Sequence, residues 1–435
     1  MLDIKFIREK AKLVAEKSKQ KGFDVDIKEL LEVDEKRRRL LEDIEKLRAE
    51  RNQLAEAAKG FKPSDVQIKQ GKELKDKLAK LEAEIKPLET DFEKLLKQVP
   101  NMPADDVPVG TNEKDNKIEK EWGKKPRFDF KPKTHWEIAE GRGLIDKERA
   151  AKVAGSRFAY IKGDLVRMQF ALVQLCLETL TNETRIKEIV KQFKLGDIPT
   201  KPFEPILPPA MIRTEVFDNM DRLEPREERY QVGTDEDDLW LQGSAEHTIG
   251  PMYMDEILPE ADLPIRYIGY LTSFRREAGS YGKDIEGIIR MHQFDKLEME
   301  SFSTPQMGLK EHLFMIAIQE YLMQQLKLPY HVLNKCTADI GKPNARGVDL
   351  EIWLPGHNRY LETHTADFMT DYQARRLHTR YKNSKGEVEL VHINDATALA
   401  PGRTMIGIIE NYQNDNGSIT VPEVLRPYIG GQATI

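Results

Sequence analysis

Phe274, Arg275, Arg276 and Glu277 are consecutive, and Arg290, His292, Phe294 and Lys296 follow at alternate positions. A guanidinium fork matches the oxygens of a phosphate or carboxylate in pairs, and a phenyl ring offers a flat face to a base. Taken alone, Phe-Arg-Arg-Glu reads equally well as a solvated strand end. Two further groupings carry usable chemistry. Ser244-Ala245-Glu246 sets a hydroxyl beside a carboxylate, a pattern that also caps helices. Gly402-Arg403 opens an apolar helix, where the helix N-terminus and the guanidinium both favour an anion. No second His or Cys lies at metal-ligand spacing beside His364, so that residue reads as packed or solvent-facing.

These side chains need elements to hold them. Tyr270–Phe274 is short, apolar and aromatic, and reads as a strand. Residues 278–287 are rich in Gly, Ser, Asp and Lys and form a loop. Apolar character returns at Ile288, so a second strand is expected from there. Asp349–Pro355 alternates as a strand, and Tyr360–Thr365 continues as its neighbour. Leu165–Leu180 is a strongly apolar helix. The double proline in Pro205-Ile206-Leu207-Pro208-Pro209 belongs at a sheet edge or junction.

The first hundred residues follow another pattern. Asp3 can cap a helix running through Ile4, Ile7, Ala11 and Val14 to a stop near Gly22, and Asp26 can cap the next. One seam runs Val33, Arg37, Leu40, Ile44, Leu47, Arg51, Leu54. A second runs Leu74, Leu78, Leu81, Ile85, Leu88, Phe92, Leu95, Val99. Spacing alternates between four and three in both, with a break at Gly60 and Pro63. That is the pattern of an antiparallel coiled-coil hairpin over about 31–99. A helix of some 28 residues spans roughly 40 Å. Pro87 should remove one backbone bond and bend the second helix. Lys36, Arg37, Arg38, Arg39, Lys46, Arg48 and Arg51 crowd the first helix among nearly as many acids. The mixture suits a solvated face. Arginines within the seam itself favour a surface that also meets phosphate. Residues 100–132, rich in Pro, Asp, Lys and Gly, read as a linker. Domains are therefore expected at 1–99 and 133–435.

Composition sets bounds. The 435 residues carry a formal net charge of −6 with 33% charged residues, which excludes a generally basic nucleic-acid binder and leaves room for local patches. Cys176 and Cys336 are the two cysteines, so neither a disulfide framework nor a cysteine-rich zinc site is expected. No apolar run reaches about 18 residues, and the N-terminus lacks a signal-peptide core. A cytoplasmic protein without membrane contact is expected.

The block Phe274-Arg275-x-Glu277 with Arg290-x-His292-Gln293-Phe294 resembles motif 2 of class II aminoacyl-tRNA synthetases. Glu277-Ala278-Gly279-Ser280 and His292-Gln293-Phe294-Asp295-Lys296 resemble the seryl branch, of the type without zinc. The hairpin, the linker wording Val107-Pro108-Val109-Gly110, a motif 3-like Gly402-Arg403 and the closing Val421–Tyr428 extend the resemblance over the chain. It implies an α+β fold: an antiparallel sheet flanked by helices, with a helical arm that grips tRNA(Ser). Arg37, Arg38, Arg48 and Arg51 are the arm residues it offers. It implies activation of L-serine by ATP with Mg²⁺, transfer of the seryl group to tRNA, and a homodimer built on the 205–211 segment. Arg275 and Arg403 would be catalytic. Ser244, Ala245, Glu246, Glu298, Asn394 and Thr397 would join Arg275 around serine. Arg276, Glu277, Phe294, Glu362, Thr363, His364 and Thr365 would join the two arginines around ATP, with Glu362 and Thr365 holding Mg²⁺. The chain departs from the family at 363–369 and at 394–397, which appears one residue longer than usual.

Overall fold

The computed structural model describes residues 1–59, 64–234, 237–278 and 287–435. It divides into two compact units, Met1–Met102 and Pro103–Ile435.

The first unit is helical. Helices α1 (Ile4–Glu9) and α2 (Ala11–Gln20) stand where one continuous helix is expected; Lys10 leaves helical geometry between them. Asp3 and Asp26 cap as expected, accepting from the Lys5 and Glu29 amides. The long helices α3 (Ile27–Ala57) and α4 (Asp65–Gln98) follow, the second opened by a Ser64–Gln67 capping box. The expected break at Gly60 and Pro63 lies outside the described residues. Pairing along the two helices runs in opposite senses: Arg37 stacks 4.4 Å over Phe92, while Arg48 reaches Glu82 at 3.0 Å. Ile44, Leu78 and Ile85 form the buried seam, with Leu40, Leu47 and Leu81 against it. Helix α4 runs on through Pro87 without a break.

The second unit is built on an eight-stranded sheet. Its parts are β1 (Lys117–Trp122), helix α5 (Asp164–Leu180), β2 (Glu204–Ile206), β3 (Ile265–Phe274), β4 (Gln293–Ser303), helix α6 (Pro305–Gln325), β5 (Tyr330–Asn334), β6 (Arg346–Leu354), β7 (Arg359–Phe368), β8 (His392–Leu399) and helix α7 (Pro401–Asn411). The strand order is β1-β5-β6-β7-β8-β4-β3-β2, antiparallel throughout except for β2 beside β3. Two segments differ from expectation. The 100–132 stretch contributes edge strand β1, so it is more than a linker. The return strand β4 starts at Gln293 rather than Ile288, and Arg290 and His292 precede it in a turn. Residues Pro205 and Ile206 lie in edge strand β2, where a proline costs no central ladder bond.

Burial explains the layering. Ile268, Met299, Ala366 and Ala396 face a core shared with α5, α6 and α7. The buried pair Arg266–Glu311 ties β3 to α6 through bonds of 2.6 and 2.8 Å. Among the described residues, no helix is long and apolar enough to cross a membrane.

Candidate functional site

Strand side chains alternate between faces, so residues next to the core-facing set point away from α6. Glu298 of β4 stands opposite Thr397 of β8 on that far face. The two border a cavity of about 240 Å³ whose walls also include Arg275, Glu277, Phe294, Glu362, Thr365 and Arg403. Glu362 and Thr365 are three apart in one strand, a spacing that ordinary alternation would put on opposite faces. A bulge in β7 against β6, where the register slips between Leu350 and Glu351, supplies the extra residue and brings both to the cavity.

At one end of the cavity Arg275 is held by its Nε, which donates to the Gly243 carbonyl at 3.1 Å. Its guanidinium lies 5.5 Å from the centre of the Phe294 ring. Glu277 accepts from Arg290 at 2.9 Å. Arg403, in the first turn of α7, donates to the Glu362 carbonyl at 2.7 Å and to its carboxylate at 3.1 Å. The surrounding protein opposes ionisation of Glu362, but Arg403, Lys335 and Arg275 outweigh it and hold the carboxyl below its usual range.

At the other end Lys296 donates to the Ser244 hydroxyl at 2.7 Å and sits 2.5 Å from a Glu298 carboxylate oxygen. Burial pushes the Glu298 carboxyl up to about 8 against the pull of Lys296, and neighbouring Glu246 pushes the same way. Burial also opposes ionisation of Glu246, yet Lys296, His247 and Arg222 keep its carboxyl below the ordinary range. Among the described residues, Glu246 Oε2 at this cavity has no hydrogen-bond partner.

Not every expected residue joins the site. Asn394 faces α6, donating to the Gly308 carbonyl at 2.8 Å, because it lies one position out of phase with Thr397 on the strand. His364 is buried, bonded to Thr363 Oγ1 at 2.7 Å, and burial holds its imidazole down to about 3. The bulge that brings Thr365 to the cavity leaves His364 off its wall. Arg276 turns toward the Tyr230 ring, 5.6 Å away, in a separate depression. Thr363 borders the cavity but spends its hydroxyl on the Leu350 carbonyl. Ala245 is buried against Gly269. In the helical unit, Arg38 and Arg51 are exposed, whereas Arg37 and Arg48 are engaged with Phe92 and Asp34, and with Glu45 and Glu82.

Comparison with known proteins gives this geometry a family. Residues 1–103 match the seryl-tRNA synthetase N-terminal domain, and residues 230–412 match the tRNA synthetase class II core domain (G, H, P, S and T). The serine–tRNA ligase of Syntrophotalea carbinolica is 39% identical, with 99% of each chain covered. The chain belongs to the seryl-tRNA synthetase family. The serine–tRNA ligase of Dictyoglomus thermophilum is also 39% identical, over 99% of this chain and 98% of that one. Among solved structures, seryl-tRNA synthetase from Pyrococcus horikoshii complexed with ATP superposes with a TM-score of 0.87 at 33% identity, covering 100% of this chain and 99% of that chain. The cytoplasmic serine–tRNA ligase from Naegleria fowleri in complex with AMP gives 0.82 at 28%, covering 98% and 95%.

Within that family fold, sequence reasoning gave no role to several cavity residues. Arg222, Lys296, Asp367 and Asp395 all border the space. Lys335 and Asp349, 3.2 Å apart, form a buried pair behind Thr365. One signal was available in Leu297-Glu298-Met299-Glu300, where acids alternate with apolar residues and one strand face must be charged.

Proposed function

We propose that the chain is an ATP-dependent serine–tRNA ligase that activates L-serine as seryl-adenylate and passes the seryl group to tRNA(Ser). The full-length similarity to serine–tRNA ligases carries this reading. The cavity chemistry supports it. A serine carboxylate oxygen attacks the α-phosphorus while the bond to the leaving pyrophosphate breaks. Arg275 is suited to bridge the carboxylate and the α-phosphate, and Arg403 to meet the γ-phosphate. Little acid–base help is needed, since alignment and charge stabilisation supply most of such a rate enhancement. Phe294 offers the ring face for adenine and Glu277 an acceptor for its amino group. Glu246 suits the serine ammonium, with Glu298 and Thr397 for the hydroxyl. A site built around a hydroxyl rejects alanine because its polar groups are then left unpaired.

The oxygens of Glu362 and Thr365, brought to one face by the bulge, fit a Mg²⁺ ion that would neutralise phosphate charge. No zinc is needed for this scheme. The helical unit is assigned to tRNA, with Arg38 and Arg51 as exposed cations and Arg37 and Arg48 as ion-paired ones. A homodimer through the β2 edge is consistent with Leu207, 79% exposed, and with Met211, 46% exposed. The reaction belongs in the cytoplasm, beside tRNA.

The test is amino-acid-dependent exchange of labelled pyrophosphate into ATP, across the twenty amino acids and without tRNA. Exchange with serine supports the assignment, and silence with all twenty removes it.

A further inference from the structure

Three carboxyls form a row across the middle of the sheet. In the ladder Glu300 of β4 stands directly opposite Asp395 of β8, and Asp395 directly opposite Asp367 of β7. Directly opposed strand residues share a face, so all three lie on the same side as Glu298 and Thr397. They sit two residues farther along the strands, roughly 7 Å at about 3.4 Å per residue. Asp367 and Asp395 border the same cavity as Glu298. Like charges placed opposite one another in a sheet are destabilising. Arg222 offsets part of this charge, with its Nη2 3.1 Å from Asp395 and 3.4 Å from Asp367, and Lys335 stands near Asp367. Glu300 is 0% exposed, and among the described residues neither of its carboxyl oxygens has a hydrogen-bond partner.

Serine does not account for this row. Its ammonium is matched by Glu246, and its hydroxyl needs one acceptor and one donor, which Glu298 and Thr397 provide. Counting Glu246 and Glu298 with the row, five carboxyls share this end of the molecule; Arg222 and Lys296 pair with Asp367, Asp395 and Glu298, and Arg229 and Arg275 stand near Glu246 and Glu298. Burial raises the Asp395 and Glu300 carboxyls well above the ordinary range, which favours protons on those two. A ligand ammonium would replace those protons with a charge-assisted hydrogen bond of the strong kind.

We propose that Asp367 and Asp395, backed by Glu300, form a subsite for a second ammonium group, so that the enzyme activates a short α-amino acid bearing a side-chain amine in addition to serine. This rests on the reading of the cavity as an amino-acid-activating site. L-2,3-Diaminopropionate, which is serine with an amine in place of the hydroxyl, sets that amine beside Glu298, and L-2,4-diaminobutyrate carries it one methylene farther toward the row. The chemistry is unchanged. The carboxylate oxygen bonds to the α-phosphorus, the bond from that phosphorus to the bridging oxygen breaks, and pyrophosphate leaves. The second ammonium keeps its protons and takes no part.

Pyrophosphate exchange on the full-length enzyme separates the possibilities, with serine and the two diamino acids compared by kcat/KM. A value for either diamino acid equal to or above that for serine supports the subsite. Exchange with serine alone, with both diamino acids at least 100-fold lower, overturns it and leaves the serine reading intact. Silence with all three overturns both. Asp395→Asn and Asp367→Asn, checked for native circular dichroism, should each lower the diamino acid to serine ratio at least tenfold through KM. An unchanged ratio in both variants overturns the assignment of these two residues.

Discussion

Glu298 carries an acid whose ionisation the fold resists, and this has a consequence for stability. Its carboxyl rises from 4.5 to about 8, so between those values the native state holds a proton that the unfolded chain has released. Stability then falls as pH rises through this window and is fully present below it, with a slope of no more than about 1.4 kcal/mol per pH unit. Glu298→Gln removes the ionisation. The melting temperature of the variant relative to the parent should therefore move in the variant's favour between pH 5 and pH 8. A difference that stays constant over that range would mean that Lys296, 2.5 Å away, keeps the carboxylate charged throughout. At this scale much of the site was legible: Arg275, Glu277, Phe294, Glu362, Thr365 and Arg403 all reach one cavity. Asn394 and His364 were not assignable, because which face a strand residue takes depends on register with a partner far away in sequence.

Elements are held by pairs that sequence patterning does not reveal. Arg266 and Glu311 are both fully buried, and the fork of Arg266 meets both carboxylate oxygens. Two further bonds, to the Pro199 and Lys201 carbonyls, fasten the chain entering β2 to β3. Glu311→Ala would strand the guanidinium without its counter-charge. Breaking one side of a buried pair costs about 3–5 kcal/mol. Urea unfolding should register a loss of that order, and a loss below about 1 kcal/mol would mean that the two carbonyls satisfy Arg266 alone. A second fastening joins α7 to the chain near 135 and 356. Glu410 accepts from the backbone amides of His135 and Gly356 and contacts the His357 ring at 2.7 Å. Helices were readable from caps and periodicity, as Asp3 and Asp26 illustrate. Strand β1 was not, because its lysines and glutamates have the composition of a linker and its pairing with β5 is non-local.

Across the whole molecule the chain divides into two compact units. Each has its own interior, the helical one centred on Ile44, Leu78 and Ile85 and the other on the sheet and its helices. Replacing residues 35–95 with a short turn removes none of the cavity walls. Serine-dependent pyrophosphate exchange should then persist within about threefold, while aminoacylation of tRNA(Ser) should drop at least 100-fold. Unimpaired charging would take the arm out of tRNA recognition. This division was readable early, since a heptad seam is a local pattern and needs no distant partner to reveal it.

The extra residue in β7 acts as a phase shift in the strand. Before it, one parity of position faces the cavity; after it, the other parity does. Positions 362 and 365 thus fall under one kind of selection and position 364 under another, although all three are near neighbours in the chain. A change at His364 is a change in core packing, and a change at Thr365 is a change in chemistry. Loss of one residue between Glu362 and Thr365 would exchange those meanings for everything downstream in the strand. Length there is consequently under tighter constraint than identity, and a sequence comparison that tolerates a gap within 362–365 would mispair wall with core.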